Sequence, residues 1–337
     1  RQIVVMASLL ITILLLGGCG LSYGFHYSTN HLDRGDAIDF DIAKTEVEPI
    51  TQIDIHSKVA EVELISSDKF YVEIDYLYWE EKPEYSLENG VLFFDDNESF
   101  PDSYSINFNL HNVIRIYLPQ SSSLQKVSIE DASGDVSVEG FITEELDIAV
   151  AYGDFTMKDA AAVDAEITLA SGTSKITGFE VGELDYTNSY GDAHFTDINT
   201  ATSILPEGSV HEQFNVTMSS GDIKINGLNS TNVELSNSYG GVSCDKVTAE
   251  DMELELSSGN AVIDHSDILS SDITNSYGDV TLTLAGAATD YSLDLDTSYG
   301  KIRVDGKSYE EHLNTDNNGS RSITANLSSG DIKVDFE

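Results

Sequence analysis

Residues 216–244 read VTMSSGDIKINGLNSTNVELSNSYGGVSC. Two turns punctuate this stretch, Ser220-Gly221 and Tyr239-Gly240, and their glycines stand 19 residues apart. Val216 and Met218 before the first turn are matched by Leu235 before the second. Ile223 and Ile225 after it are matched by Val242 and Cys244. Apolar residues at every second position on both sides of a fixed glycine describe short half-buried strands joined by tight turns.

The pattern extends outward in both directions. A Gly preceded by Ser or Tyr recurs at Gly134, Gly153, Gly172, Gly191, Gly221, Gly240, Gly259, Gly278, Gly300 and Gly330, with spacings of 19, 19, 19, 30, 19, 19, 19, 22 and 30. Four residues after each glycine stands an apolar residue: Val138, Met157, Ile176, Phe195, Ile225, Cys244, Ile263, Leu282, Val304 and Val334. Repeats of about nineteen residues are too short for a four-stranded propeller blade and suit one coil of a solenoid stacked at ~4.8 Å. The expectation is an all-β chain folded as a parallel β-solenoid (β-helix) of about ten coils. A coil of two repeats, about thirty-eight residues, is the rival geometry.

The residue before the glycine alternates between Ser and Tyr and slips only at Tyr299 before Ser329. By parity it is expected to point inward or line the corner. The residue two earlier is often Asn where it is Tyr (Asn188, Asn237, Asn275) and large and apolar where it is Ser (Leu169, Met218, Leu256, Leu327). Such an exchange would hold core volume constant, with backbone carbonyls receiving the buried amides.

The glycines themselves are structural turn residues. Asp follows at Asp135, Asp154, Asp192, Asp222, Asp279 and Asp331, while Thr173, Gly241, Asn260 and Lys301 break the series. Stacked carboxylates are weak candidates for a Ca²⁺ ladder. The simpler reading has them accepting turn amides, so no cofactor is expected.

The chain has 17 Lys+Arg against 59 Asp+Glu, and 17 − 59 leaves a net charge of −42. This argues against nucleic acid as a partner, since phosphate binding needs a cationic face. Residues 1–27 contain the apolar run Ile3–Leu16 and the tetrapeptide Leu16-Gly17-Gly18-Cys19. Fourteen residues fall short of a bilayer span and fit a secretory signal. The tetrapeptide resembles a bacterial lipobox with Cys19 as the lipidated residue. An uncleaved anchor reaching Tyr27 and a simple cleaved signal are the other readings, and all three place the rest outside the cytoplasm. Residues 28–48 read as a polar tether, in which Arg34-Gly35-Asp36 is ascribed to chance. Residues 49–120 read as an N-terminal β cap with the first coils, and 121–337 as the repeat solenoid.

Asn112 to Pro119 (NVIRIYLP), followed by Leu124 and Ser133-Gly134-Asp135-Val136, resembles the bacterial putative-adhesin family of β-strand repeat proteins. Ile53-Asp54-Ile55 and Val62-Glu63-Leu64 are similar to its first coil, so the likeness covers residues 49–337. The resemblance implies a β-solenoid on the outer side of a bacterial envelope behind a membrane anchor, with some relatives beside envelope-stress regulators. It carries no catalytic residues.

Nothing in the residues favours an enzyme. The eight histidines are scattered, no carboxylate pair stands out, and Cys244 takes an interior position. The expectation is a non-catalytic, surface-anchored module, adhesin-like or structural. Its partners would be the membrane, through the anchor or lipid, and an envelope protein or glycan. A regulatory accessory contacting a membrane sensor is the alternative, and a β-helix polysaccharide enzyme the remote one. Two insertions, around Ile204–His211 and Tyr309–Gly319, are expected to leave from one corner. The terminal strand Ile332–Phe336 is expected to leave an open edge, inviting self-association.

Overall fold

The computed structural model describes residues 38–78, 81–96, 112–120, 122–200, 212–317 and 319–337. Cys19, the apolar run and Arg34-Gly35-Asp36 lie outside these residues, as does the insertion at 204–211. Among the described residues no helix is long and apolar enough to cross a membrane.

The register is the decisive observation. Between consecutive regular repeats strand pairing is parallel, and each residue faces the one nineteen further on: Ile148 pairs with Ile167, Thr156 with Lys175, and Leu235 with Leu254. One coil is therefore one repeat, which excludes the thirty-eight-residue alternative. Across the insertion the step becomes thirty, as in Tyr186 with Val216. The long strands Phe155–Ser171, Ser174–Tyr190, Ile223–Tyr239, Val242–Ser258 and Ala261–Tyr277 each carry most of a coil.

Burial shows how the coil closes. In the coil begun by Gly240, the buried residues are Val242, Cys244, Val247, Ala249, Met252, Leu254 and Leu256. Period-two alternation breaks between Cys244 and Val247, between Ala249 and Met252, and again across Gly259. Each break turns the chain so that a new face looks inward. The first break sits at a left-handed residue, Lys246 (φ 58°), six after the glycine. Other coils place Gly140, Asp159, Gly178, Asp197, Gly227 and His265 there, all with positive φ. Aromatic contacts such as Tyr186–Phe195 and Phe195–Phe214, edge-to-face at 5.2 and 5.1 Å, contribute to the core.

The tight corner explains the glycines. A Cβ on Gly240 (φ 139°) would lie 1.9 Å from the carbonyl oxygen of Gly221. The Gly240 amide in turn donates to the Ser258 carbonyl of the next coil. Ten glycines form one such ladder, the first of them, Gly134, on the Ala60 carbonyl.

The ladder is not in chain order at its end. Gly330 sits on Gly278, and Gly300 on Gly330. The last coil, strands Arg321–Ser329 and Ile332–Phe336, is inserted between Ala261–Leu284 and Tyr291–Val304. In space the corner residues run Tyr277, Ser329, Tyr299, so the slip in the sequence is no slip in the structure. The other end mirrors this arrangement. The strands Gln52–Ser57 and Glu61–Ser67 lie between Val91–Asp95 and Val113–Pro119 on one side and Ser122–Ser133 and Val136–Glu139 on the other.

Two expectations about edges therefore change. The strand Ile332–Phe336 pairs along its length with Val280–Leu284 and over Ile332–Val334 with Ile302–Val304, so it is not the edge of the stack. The outermost coils are instead covered by antiparallel strands, Tyr71–Tyr78 and Glu84–Glu88 at one end, Lys307–Tyr309 and His312–Thr315 at the other. The second insertion is thus part of this covering rather than a projecting loop. It departs after Val304, four residues past its glycine, whereas the first departs after Thr200, nine past its own. They do not share a corner. Ile38–Glu46, read from the sequence as part of a polar tether, is instead a strand antiparallel to Tyr71–Tyr78.

Gly240→Ala forces a methyl group into a backbone carbonyl that has no room to move. It should cost on the order of 3–5 kcal/mol, read as a lower urea midpoint. An unchanged midpoint would mean that the corner is not built this way.

Candidate functional site

The Ser/Tyr corner organises three columns of side chains that run along the stack. The first is buried. Asn188, Asn237 and Asn275 donate from Nδ2 to the carbonyls of Gly172, Gly221 and Gly259 at 3.0, 2.8 and 2.9 Å. Oδ1 of Asn188 and of Asn275 accepts the amide of Tyr190 and Tyr277, two residues on. Thr297 plays the donor's part in its own coil, reaching the Gly330 carbonyl at 2.9 Å. These are the carbonyl partners that the sequence called for.

The second column is the aspartates. Oδ1 of Asp135, Asp154, Asp192, Asp222, Asp279 and Asp331 accepts the backbone amide of the facing residue in the next coil, at 2.8–2.9 Å. Asn260 does the same for Asp279. The structure thus gives each carboxylate the amide-capping role, the simpler of the two readings. Among the described residues no group of three or more His, Cys, Asp or Glu could hold a metal ion.

The third column is where the sequence reading fails. Tyr152, Tyr190, Tyr239, Tyr277 and Tyr299 do not point inward; they are 63–79% exposed. The chain turns between the buried Asn and the Gly, so the parity that holds along the strand does not carry across the corner. Volume exchange between Tyr and Ser is therefore not a core effect. Five phenol rings stand in one line on alternate coils, with Ser171, Ser220, Ser258 and Ser329 between them and Ser133 one level before the first. Alternate coils lie ~9.6 Å apart.

A further acidic column runs on the adjoining face. Asp147, Glu166 and Asp185 are stacked in register. Burial, and then the charges of Asp147 and Asp185, hold the Glu166 carboxyl above its ordinary range. Lys126 pairs with Asp147 and reaches Glu145 at 2.7 Å, relieving one end. Cys244 is fully buried, and burial pushes its thiol up to about 12, which agrees with a core role.

One titratable group has an unusual place. Asp131 stands three residues before Gly134, in the column that Asn188 occupies elsewhere, facing Ser57 in the neighbouring coil. It is 3% exposed, and neither carboxyl oxygen has a hydrogen-bond partner. Burial pushes its pKa up to about 7; the Ser57 hydroxyl and Ala60 backbone hold it back without a well-formed bond, and the charges of Asp96 and Asp135 add to the rise. On the neighbouring strand Gln52–Ser57, His56 lies 3.0 Å from Asp54 and 3.4 Å from Glu130, which raise its pKa to about 10.

The geometry defines a class: an all-β repeat protein whose ordered surface feature is an exposed aromatic column flanked by carboxylates. The family follows from the sequence. The model of the Toastrack family (DUF4097) matches twice, at residues 50–209 and 179–335, and the chain belongs to that family. Among solved structures, a cell adhesion protein described as putative, from Clostridium sporogenes ATCC 15579, is 13% identical, with 89% of this chain and all of that one covered and a TM-score of 0.29. A putative adhesin from Bacteroides fragilis NCTC 9343 is 13% identical over 91% of this chain and all of its own, with a TM-score of 0.35. A putative lipid binding protein from Parabacteroides distasonis ATCC 8503 is 12% identical over the same shares, with a TM-score of 0.39. No curated protein matches the chain. The likenesses to solved structures are too distant to bear on geometry or ligand, and the family assignment rests on the sequence model.

Asp131 gives a prediction with a definite sign. Its folded pKa lies above the unfolded value, so the folded chain binds the extra proton and stability falls as pH rises from about 4 through about 7. Asp131→Asn supplies the neutral amide found in other coils. The variant should match the native chain near pH 4 and exceed it above pH 7, by a few kcal/mol as a rough upper bound. Denaturant melts across this range check it; a constant difference at all pH values would contradict the buried-acid account.

Proposed function

We propose that the protein is a non-catalytic binding rod of the bacterial cell envelope, held outside the cytoplasm by its N-terminal segment, with the tyrosine column as its contact face. The observation that carries this reading is the column itself. Five tyrosines kept at 63–79% exposure on every second coil contribute little to the core, and aligned exposed aromatics are the side chains that binding surfaces favour. Scattered surface apolar residues need no explanation, but a line of five does.

The flanking chemistry supports binding over catalysis. The six corner aspartates are each committed to a backbone amide. Cys244 is buried and protonated. The signal-like run Ile3–Leu16 and the lipobox-like Leu16–Cys19 support the placement outside the cytoplasm.

Serine occupies the same corner in alternate coils, so Tyr→Ser at all five positions keeps the fold. In a pelleting assay with isolated bacterial envelopes, the five-fold variant should lose most of the binding of the native chain, while its melting temperature stays within a few degrees. Undiminished binding would contradict the contact face. Protection from protease added to intact cells would contradict the placement.

A further inference from the structure

The tyrosine column has a period, and a period selects its ligand. Successive rings are separated by two coils, ~9.6 Å. The periods of regular peptide conformations can be compared with this directly. A β-strand presents a side chain to one face every two residues, ~6.7 Å, which does not match. An α-helix returns to the same face after seven residues, ~10.5 Å, and over four intervals would drift ~3.6 Å out of step. A polyproline II helix turns once in three residues, ~9.3 Å, and drifts only ~1.2 Å over the same four intervals. The conformation that stays in step along all five rings is polyproline II, which is also the one that aromatic grooves bind.

Charge narrows the choice further. In three of the five levels an aspartate stands two residues from the ring: Tyr152 with Asp154, Tyr190 with Asp192, and Tyr277 with Asp279. Intervening levels add Asp222 and Asp331, and the level before Tyr152 adds Asp135, so six carboxylates border the column. Each spends Oδ1 on a backbone amide, leaving Oδ2 for another partner; in Asp222 that oxygen faces Lys224 at 3.8 Å. Over the whole chain the net charge is −42. A cationic side chain placed here meets a ring face and a carboxylate together, a combination that favours Arg.

Resting on the reading of the column as a contact face, we propose that its partner is a cationic, proline-rich segment in the polyproline II conformation, with one turn on each tyrosine. The column from Tyr152 to Tyr299 spans eight coil steps, ~38 Å, which matches about four turns, or some thirteen residues. The serines between the rings keep the spaces between successive tyrosines open for the proline rings.

The test uses the purified full chain and a fluorescein-labelled peptide of five Pro-Pro-Arg repeats, followed by anisotropy. A peptide of five Gly-Ser-Arg repeats has the same length and charge but no preformed helix, and a linear chitin hexasaccharide serves as a neutral glycan. The proline peptide should bind ~10-fold or more tightly than the glycine peptide. The pair Tyr239→Ser with Tyr277→Ser should weaken the proline peptide ~10-fold and leave the glycine peptide unchanged. Equal affinity for the two peptides, or no effect of the tyrosine changes on either, would overturn the proposal and leave charge as the only attraction. If the hexasaccharide binds through the tyrosines and the proline peptide does not, the partner is wrong but the contact face stands. If neither ligand senses the tyrosines, both readings fall.

Discussion

The corner at which one glycine rests on the carbonyl of another governs the rest of the molecule. A Cβ at position 240 would stand only 1.9 Å from the Gly221 oxygen, so no other residue fits there without a shift of backbone. That contact fixes the coil-to-coil register, and the register turns single residues into columns. Asparagine amides, aspartate carboxylates and tyrosine rings each stack because the glycines beside them do. The buried Asn column and the Asp column tie the same corner from inside and outside, so its backbone groups are satisfied where a tight turn would otherwise leave them bare.

Much of this was legible in the sequence. The fixed Gly and the nineteen-residue spacing set the coil, and the apolar residues four after the Gly are buried throughout, from Val138 to Val334. The Asn partners and the amide-capping Asp followed from the need to satisfy polar groups. What could not be read has physical reasons. Tyr152 and its equivalents share the parity of buried residues, but parity is a property of a strand and stops where the strand turns. The second corner was missed because left-handed backbone there is held by Asp159, Asp197, Lys246 and His265 as often as by glycine. Gly140, Gly178 and Gly227, six after their partners, were the available signal. The insertion of the last coil between two earlier ones leaves a trace in sequence only as the slip at Tyr299. Once the spatial order is known, that slip is evidence for it.

Electrostatics give the surface its character. Columns of like charge one strand spacing apart repel, and the Glu166 carboxyl, raised first by burial, is raised further by Asp147 and Asp185 on either side. Lys126 offsets it at one level only. High like charge of this kind opposes close approach of another acidic surface and attracts cations. Asp131 is the exception inside the core, an acid at a position where three other coils place an amide, at the join between the coil Gln52–Ser67 and the regular repeats.

The unbroken alternation of tyrosine and serine depends on the last coil lying between its two predecessors, and disulfide trapping measures this directly. Thr324 faces Asp272 on one side and Asp294 on the other. Neighbouring strands place paired Cα atoms within the roughly 4.4–6.8 Å that a disulfide requires. In a chain with Cys19→Ser, the pair Asp272→Cys with Thr324→Cys should oxidise rapidly, and Asp272→Cys with Asp294→Cys, two levels apart, should not. The opposite result would show that the coils stack in chain order, and the column of five tyrosines would be broken.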